Sequence, residues 1–255
     1  MHGITSQKDC EGKEQDTVCG FCGTSLGQDN EFFTSIGAVI PCDCPGALAE
    51  YRRFQPEEDR ERVKMGVALR LKASGIQSRF MRCSLDNYRP DDNTKAHAGA
   101  AEFVARFPYT KGITLWGRPG VGKTHIACAV AKQVIEKGYS AVFGSVPTLL
   151  SSIRAGFNGG DAADTVLKRY KTVDLLILDD LGKEKVTEWV EETVYEIINA
   201  RYEYEKPTIV TTNIGIDAVA ERYAWNGAAI KSRLYEMNDG FILKGGDFRL
   251  SGNCR

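Results

Sequence analysis

Polar and apolar positions change rhythm repeatedly along this chain, and the changes mark its elements. Gly112 to Trp116, Ser140 to Gly144, Val173 to Asp180 and Thr208 to Thr212 are short, mostly apolar runs that read as strands. Between them, apolar residues recur at three- and four-residue spacing. That rhythm predicts helices over Thr94 to about Phe107, Ile126 to Glu136, Pro147 through Ile153, and Asp161 to Tyr170. A longer helix follows from roughly Thr187 to Tyr204, with Val190, Val194, Ile197 and Ile198 on one face. Gly138 suits a helix stop, and Gly156 to Gly160 a flexible break. Apolar strands alternating with helices predict an α/β fold, a parallel sheet covered on both sides. In such sheets the ligand lies at the carboxyl ends of the strands.

The first third has a different texture. Residues 1–18 are mostly Gly, Lys, Asp, Glu and Gln, and are expected to be a disordered lead-in. Pro56 to Ser74 reads as a helix, with acids Glu57, Glu58 and Asp59 at its positive end and Gly75 as the stop. Between Glu50 and Arg82 stand nine Arg or Lys against five acids. This is either a solvated helix face or a contact for a partner protein or nucleic acid. Residues 76–93 form a connector ending in the turn cluster Arg89-Pro90-Asp91-Asp92-Asn93.

Charge and cysteine content narrow the setting. A net charge of −1 gives no bulk attraction to nucleic acid or membrane. No apolar run approaches the length of a membrane span, and the polar start Met1 to Asp9 is no signal peptide. The expectation is a cytoplasmic protein without a membrane partner. In that compartment eight cysteines are a poor disulfide framework. Cys19 and Cys22 form a C-x-x-C turn, answered by Cys42 and Cys44 between Pro41 and Pro45. Two close pairs about 20 residues apart suit a tetrahedral structural zinc site. Unligated core thiols and a redox pair are the other readings. The segment Glu31 to Ile40 between the pairs looks like a short hairpin.

The chemistry centres on Gly117-Arg-Pro-Gly-Val-Gly-Lys-Thr124, which fits the phosphate-binding pattern G-x-x-x-x-G-K-[ST]. A predicted strand precedes it and a helix follows. Gly117, Gly120 and Gly122 let the backbone turn its N–H groups toward phosphate oxygens, and the helix dipole adds positive charge. Lys123 would reach the β- and γ-phosphates, and the Thr124 hydroxyl would ligate Mg²⁺. Asp179 ends an apolar strand where a Mg²⁺-holding carboxylate belongs, and Asp180 would orient or deprotonate the attacking water. Asn213 ends the next strand and could hold the same water or the γ-phosphate. Arg233 and Arg249 are candidates for phosphate contact, Arg233 from a neighbouring subunit.

The runs Trp116 to Ala127, Leu176 to Gly182, Thr211-Thr-Asn213 and Ser232-Arg-Leu234 resemble AAA+ helicase loaders of the DnaC/DnaI type and their IstB-like relatives. The resemblance covers about residues 76–255 and implies an AAA+ P-loop ATPase core there. It implies that Pro119, Val121 and His125 join the nucleotide-binding loop, that Asn213 is sensor 1 and Arg233 the arginine finger, and that Arg249 is the sensor 2 arginine. Residues 19–75 are similar to the zinc-containing, helicase-binding module of DnaI-type loaders. The implied activity is slow ATP hydrolysis, with ATP, Mg²⁺ and Zn²⁺ bound and self-association through the ATP site. The implied partners are the hexameric replicative helicase and single-stranded DNA, the latter gripped between Thr148 and Lys171 by Arg154, Phe157, Lys168 and Arg169. A transposition helper acting on target DNA and a transposase is the alternative.

Overall fold

A computed structural model describes residues 17–18, 25–26, 57–90, 93–157 and 162–250. Cys19, Cys22, Cys42 and Cys44, and the hairpin expected over Glu31 to Ile40, lie outside these described residues. The chain divides into two compact units, Met1–Lys64 and Met65–Arg255. In the first, β1 (Thr17–Val18) pairs antiparallel with β2 (Ser25–Leu26). Thr17 and Val18 are therefore in a strand, where a disordered lead-in was expected. Their neighbours on the antiparallel partner, Leu26 and Ser25, supply the ladder bonds that hold them.

α1 (Glu57–Ala73) spans the division between the units. In the second unit follow α2 (Thr94–Arg106), β3 (Gly112–Gly117), α3 (Lys123–Glu136), β4 (Ala141–Ser145), α4 (Val146–Gly156) and α5 (Ala162–Thr172). Then come β5 (Leu175–Asp179), α6 (Glu188–Glu203), β6 (Thr208–Thr212), α7 (Ile216–Ala220), α8 (Gly227–Met237) and β7 (Asn238–Leu243). The strand order is β4-β5-β6-β3-β7, with every pairing parallel.

Period-two alternation sorts the strand side chains onto two cores. Leu175 and Ile177 face the layer built by α2 and α3, whereas Leu176 and Leu178 face the layer built by α4 to α8. Ile113, Leu115 and Ile209 join the first core, and Val142 and Val210 the second. Side chains such as Leu115, Leu175, Leu176 and Val210 are completely buried. Each such burial contributes roughly 1.5–3 kcal/mol relative to exposure. That double-sided cover fixes β3, β5 and β6 in the middle of the sheet and aligns their carboxyl ends.

The expected elements form, with boundaries moved by a few residues. α3 begins at Lys123, because Gly122 (φ 97°) already caps it, earlier than the Ile126 start that periodicity suggests. Ser145 caps α4 by accepting from the Thr148 amide, and Thr187 caps α6 by accepting from Val190. β7, α7 and the 3₁₀ turn Ser78–Phe80 in the connector are additions to the sequence-derived elements. Cys83 and Cys128 are buried, and burial pushes both thiols up, so they behave as inert core groups.

Candidate functional site

The loop from Gly117 to Thr124 joins the carboxyl end of β3 to the amino end of α3, so backbone N–H groups and the helix dipole converge there. Gly120 (φ 80°) and Gly122 (φ 97°) take left-handed backbone that a side chain would strain. There is also no room. A Cβ on Gly122 would stand 2.6 Å from the Tyr88 ring, and one on Gly120 1.9 Å from the Asp247 carboxylate. Arg118 and Pro119 form the exposed outer lip, and Val121 is fully buried beneath it.

Lys123 is 5% exposed and donates to three acceptors at once: Gly117 O (2.7 Å), Arg118 O (2.9 Å) and Asn213 Oδ1 (2.8 Å). The Asn213 contact joins β6 to the phosphate loop across 90 residues of sequence. Burial lowers the Lys123 pKa, and the nearby Asp180 and Asp179 carboxylates work against that. The Thr124 hydroxyl donates to Asp179 Oδ1 (2.9 Å), and Thr211 donates to the same oxygen (2.6 Å). Burial nonetheless raises the Asp179 pKa above the usual carboxylate range. A buried carboxylate beside a hydroxyl is an all-oxygen donor set suited to Mg²⁺, and a divalent cation would relieve its unfavourable charge. The residues therefore fit the magnesium nucleotide that the motif implies.

Asp180 has left-handed backbone (φ 60°), its amide bonded to Thr211 Oγ1. Its carboxylate pairs with Lys183 at 2.7 Å, a partner that the sequence reading missed. His125 is held by the connector: its Nε2–H donates to the Ser84 carbonyl (2.9 Å) and its ring lies 5.5 Å from that of Tyr88. The Tyr88 hydroxyl in turn reaches Val121 O. The connector therefore packs directly on the phosphate loop. From the other end of the chain, Phe248 N donates to Gly120 O, which brings Arg249 to the mouth of the site. Arg249 is exposed and close enough to depress the Lys123 pKa.

Arg233 stands apart from this cluster. Its Nη1 donates to Ala229 O (3.2 Å) and its Nη2 to the Tyr195 hydroxyl (3.3 Å), so it shares no hydrogen-bond partner with Lys123, Asp179, Asp180 or Asn213. The helix that carries it, α8, is anchored by a residue the sequence did not single out. The Glu191 carboxylate, 2% exposed on α6, accepts the amides of Ala224, Trp225 and Asn226 just before the amino end of α8.

In the segment expected to meet single-stranded DNA, the Arg154 guanidinium lies 4.4 Å over the Trp189 ring, and Phe157 meets Trp189 edge-on at 6.1 Å. Phe157 remains 59% exposed. Arg169 is committed to the Ala73 carbonyl. Among the described residues no helix is long and apolar enough to cross a membrane, and no group of three or more His, Cys, Asp or Glu is arranged to hold a metal.

Residues 88–245 match the family described as IstB-like ATP binding protein. The replicative helicase loader DnaC of Escherichia coli K12 is 26% identical over 167 residues, covering 64% of this chain and 68% of that one. The phage-like element PBSX protein XkdC of Bacillus subtilis is 29% identical over 201 residues, covering 71% and 72%. Among solved structures, a DnaC helicase loader superposes with a TM-score of 0.60 at 32% identity, covering 66% of this chain and all of that one. DnaI superposes with a TM-score of 0.59 at 25% identity, covering 68% and 94%. The chain belongs to the IstB-like ATP-binding protein family and is an AAA+ ATPase, a protein that binds and hydrolyses ATP.

Proposed function

We propose that this chain is a helicase loader, which binds the hexameric replicative helicase and assists its placement on single-stranded DNA under control of ATP. The observation that carries the reading is the division of the catalytic set. Lys123, Thr124, Asp179 and Asn213 converge in one subunit, whereas Arg233 is held on α8 among other partners. A site that waits for an arginine from a second copy suits a nucleotide-gated switch better than steady catalysis. The names of the DnaC relatives support the choice of partner.

In this reading Lys123 and the amides of the 117–124 loop bind the phosphates, and Thr124 with Asp179 holds Mg²⁺. The ion would neutralise charge on the phosphates during transfer. Asp180 leaves Lys183 to orient the attacking water, which Asn213 helps to place. Arg249 contacts phosphate from the mouth, and Arg233 of the neighbouring copy neutralises charge that develops on the γ-phosphate. Residues 19–75, with their four cysteines, supply the helicase contact, and 76–255 the ATPase.

Co-purification with the host's replicative helicase in ATP tests this, with Lys123→Ala as control. The expected result is a defined complex that requires both ATP binding and residues 19–75. The family match to IstB-like proteins favours one second reading, a transposition helper. Its signature is no helicase complex, together with ATP-dependent filaments on duplex DNA.

A further inference from the structure

Arginines in folded proteins usually end on a carboxylate or saturate their donors on carbonyls. Arg201 does the latter: fully buried, it donates to Thr208 Oγ1 and to the carbonyls of Tyr170, Val173 and Pro207. Arg233 does neither. Its guanidinium carbon lies 5.1 Å from the Tyr195 ring and 5.5 Å from the Tyr202 ring. Its two hydrogen bonds are long, at 3.2 and 3.3 Å. Its Nε is buried without a hydrogen-bond partner. Among the described residues no carboxylate forms an ion pair with it.

The two tyrosines are placed for this contact. They stand seven residues apart on α6 and so share one face two turns apart. The Tyr202 hydroxyl is committed elsewhere, donating to Glu236 Oε1 at 3.0 Å. Glu236 lies on α8, as Arg233 does, so that bond ties the tyrosine face to the helix that carries the arginine.

We propose that Tyr195 and Tyr202 form an aromatic shelf that presents Arg233 oriented but not neutralised, which makes them positioning residues for hydrolysis in a neighbouring subunit. This rests on the reading of Arg233 as the trans-acting arginine. An ion pair would cancel the charge that a phosphate must receive. A ring face orients the cation and leaves its charge in place. Charge-assisted bonds to phosphate are about twice as strong as neutral ones, so the shelf gives up the guanidinium when the neighbour's nucleotide arrives. The unpartnered Nε is a donor kept for that encounter.

The test is ATP turnover by the full chain over a series of protein concentrations, for wild type, Arg233→Ala, Tyr195→Leu and Tyr195→Phe. Arg233→Ala should lower kcat by about 100-fold or more. Tyr195→Leu should lower kcat about tenfold with KM for ATP unchanged, and Tyr195→Phe, which keeps the ring, by no more than about threefold. Tyr202→Leu is the parallel variant should Tyr195→Leu not fold. Mixing Tyr195→Leu with Lys123→Ala subunits should restore turnover, because the second variant lends an intact arginine to the first one's intact ATP sites. A packing defect inside Tyr195→Leu would not be repaired by another subunit. If Arg233→Ala lowers kcat and the leucine variants do not, or if Arg233→Ala mixed with Lys123→Ala regains turnover while Tyr195→Leu mixed with it does not, the shelf is overturned and the trans-acting arginine stands. If neither mixture regains turnover, the trans-acting arginine falls, and the shelf with it. If Arg233→Ala keeps wild-type kcat, the arginine reading itself falls, and the shelf with it.

Discussion

At the residue scale the phosphate loop offers a controlled comparison. Gly122 and Gly138 share the same left-handed φ of 97°, but a Cβ at Gly138 would meet nothing within 4 Å, while one at Gly122 would meet the Tyr88 ring at 2.6 Å. Gly138→Ala should therefore cost only the backbone strain, about 1 kcal/mol, and leave nucleotide binding intact. Gly122→Ala should cost about 1–3 kcal/mol more and weaken ATP binding, read as a smaller ATP-induced rise in Tm. Asp179 makes an opposite kind of prediction. Burial disfavours its charge, so Asp179→Asn, whose amide oxygen can still accept from Thr124 and Thr211, relieves a cost in the nucleotide-free protein. Its Tm without magnesium should rise by roughly 2–5 °C while ATP hydrolysis is lost. A drop in Tm would mean that the carboxylate stabilises the fold.

The elements show which features a sequence can display. The P-loop, the strands β3 to β6 and the long helices were legible, because apolar runs and glycine turns act locally and each implies the next. β7 was not. Asn238-Asp239-Gly240 opens it with three polar or flexible residues, and only Asn238 and Leu243 are buried, as befits an edge strand. What recruits it is pairing along the whole of β3, a long-range fact. The buried charges were illegible for a related reason. Glu191 and Arg201 stand on a helix rich in charge, where each reads as part of a solvated face until its distant partners are known. Asn213 could be read only as a weak strand-end signal, and its bond to Lys123 is what gives it a place. Arg201 ties the end of α6 to α5 and to the starts of β5 and β6, so its loss should be felt across that layer. Arg201→Met, similar in volume but without donors, leaves several buried carbonyls unpaired. It should lower stability by about 2–5 kcal/mol in denaturant melts, with little change in KM for ATP in the protein that remains folded.

For the molecule as a whole, the proposed loader role calls for a surface on which the ATPase core would meet a DNA strand. Trp189, stacked by Arg154 and edged by Phe157, extends the aromatic and cationic set expected between Thr148 and Lys171 onto α6. Exposed aromatic surface beside cations suits a stacked, backbone-tracking single strand. Changing Phe157 and Lys168 together to Ala should weaken single-strand binding by tenfold or more, on the order of 1–3 kcal/mol for a lost stacked base, with a shallower salt dependence. Unchanged affinity in a fluorescence-anisotropy titration would remove DNA contact from this face. The separation of Arg233 from its own subunit's Lys123 has a geometric consequence as well. In the proposed arrangement, copies that lend an arginine forward and receive one from behind would join head to tail, through two different surfaces of each copy. Unless such a row closes on itself, its ends differ: one carries an arginine with no phosphate to serve, the other an ATP site with no arginine. Such a row would therefore have a direction, as a single strand of DNA does, and two directional polymers laid side by side can be told apart from the same pair laid in reverse.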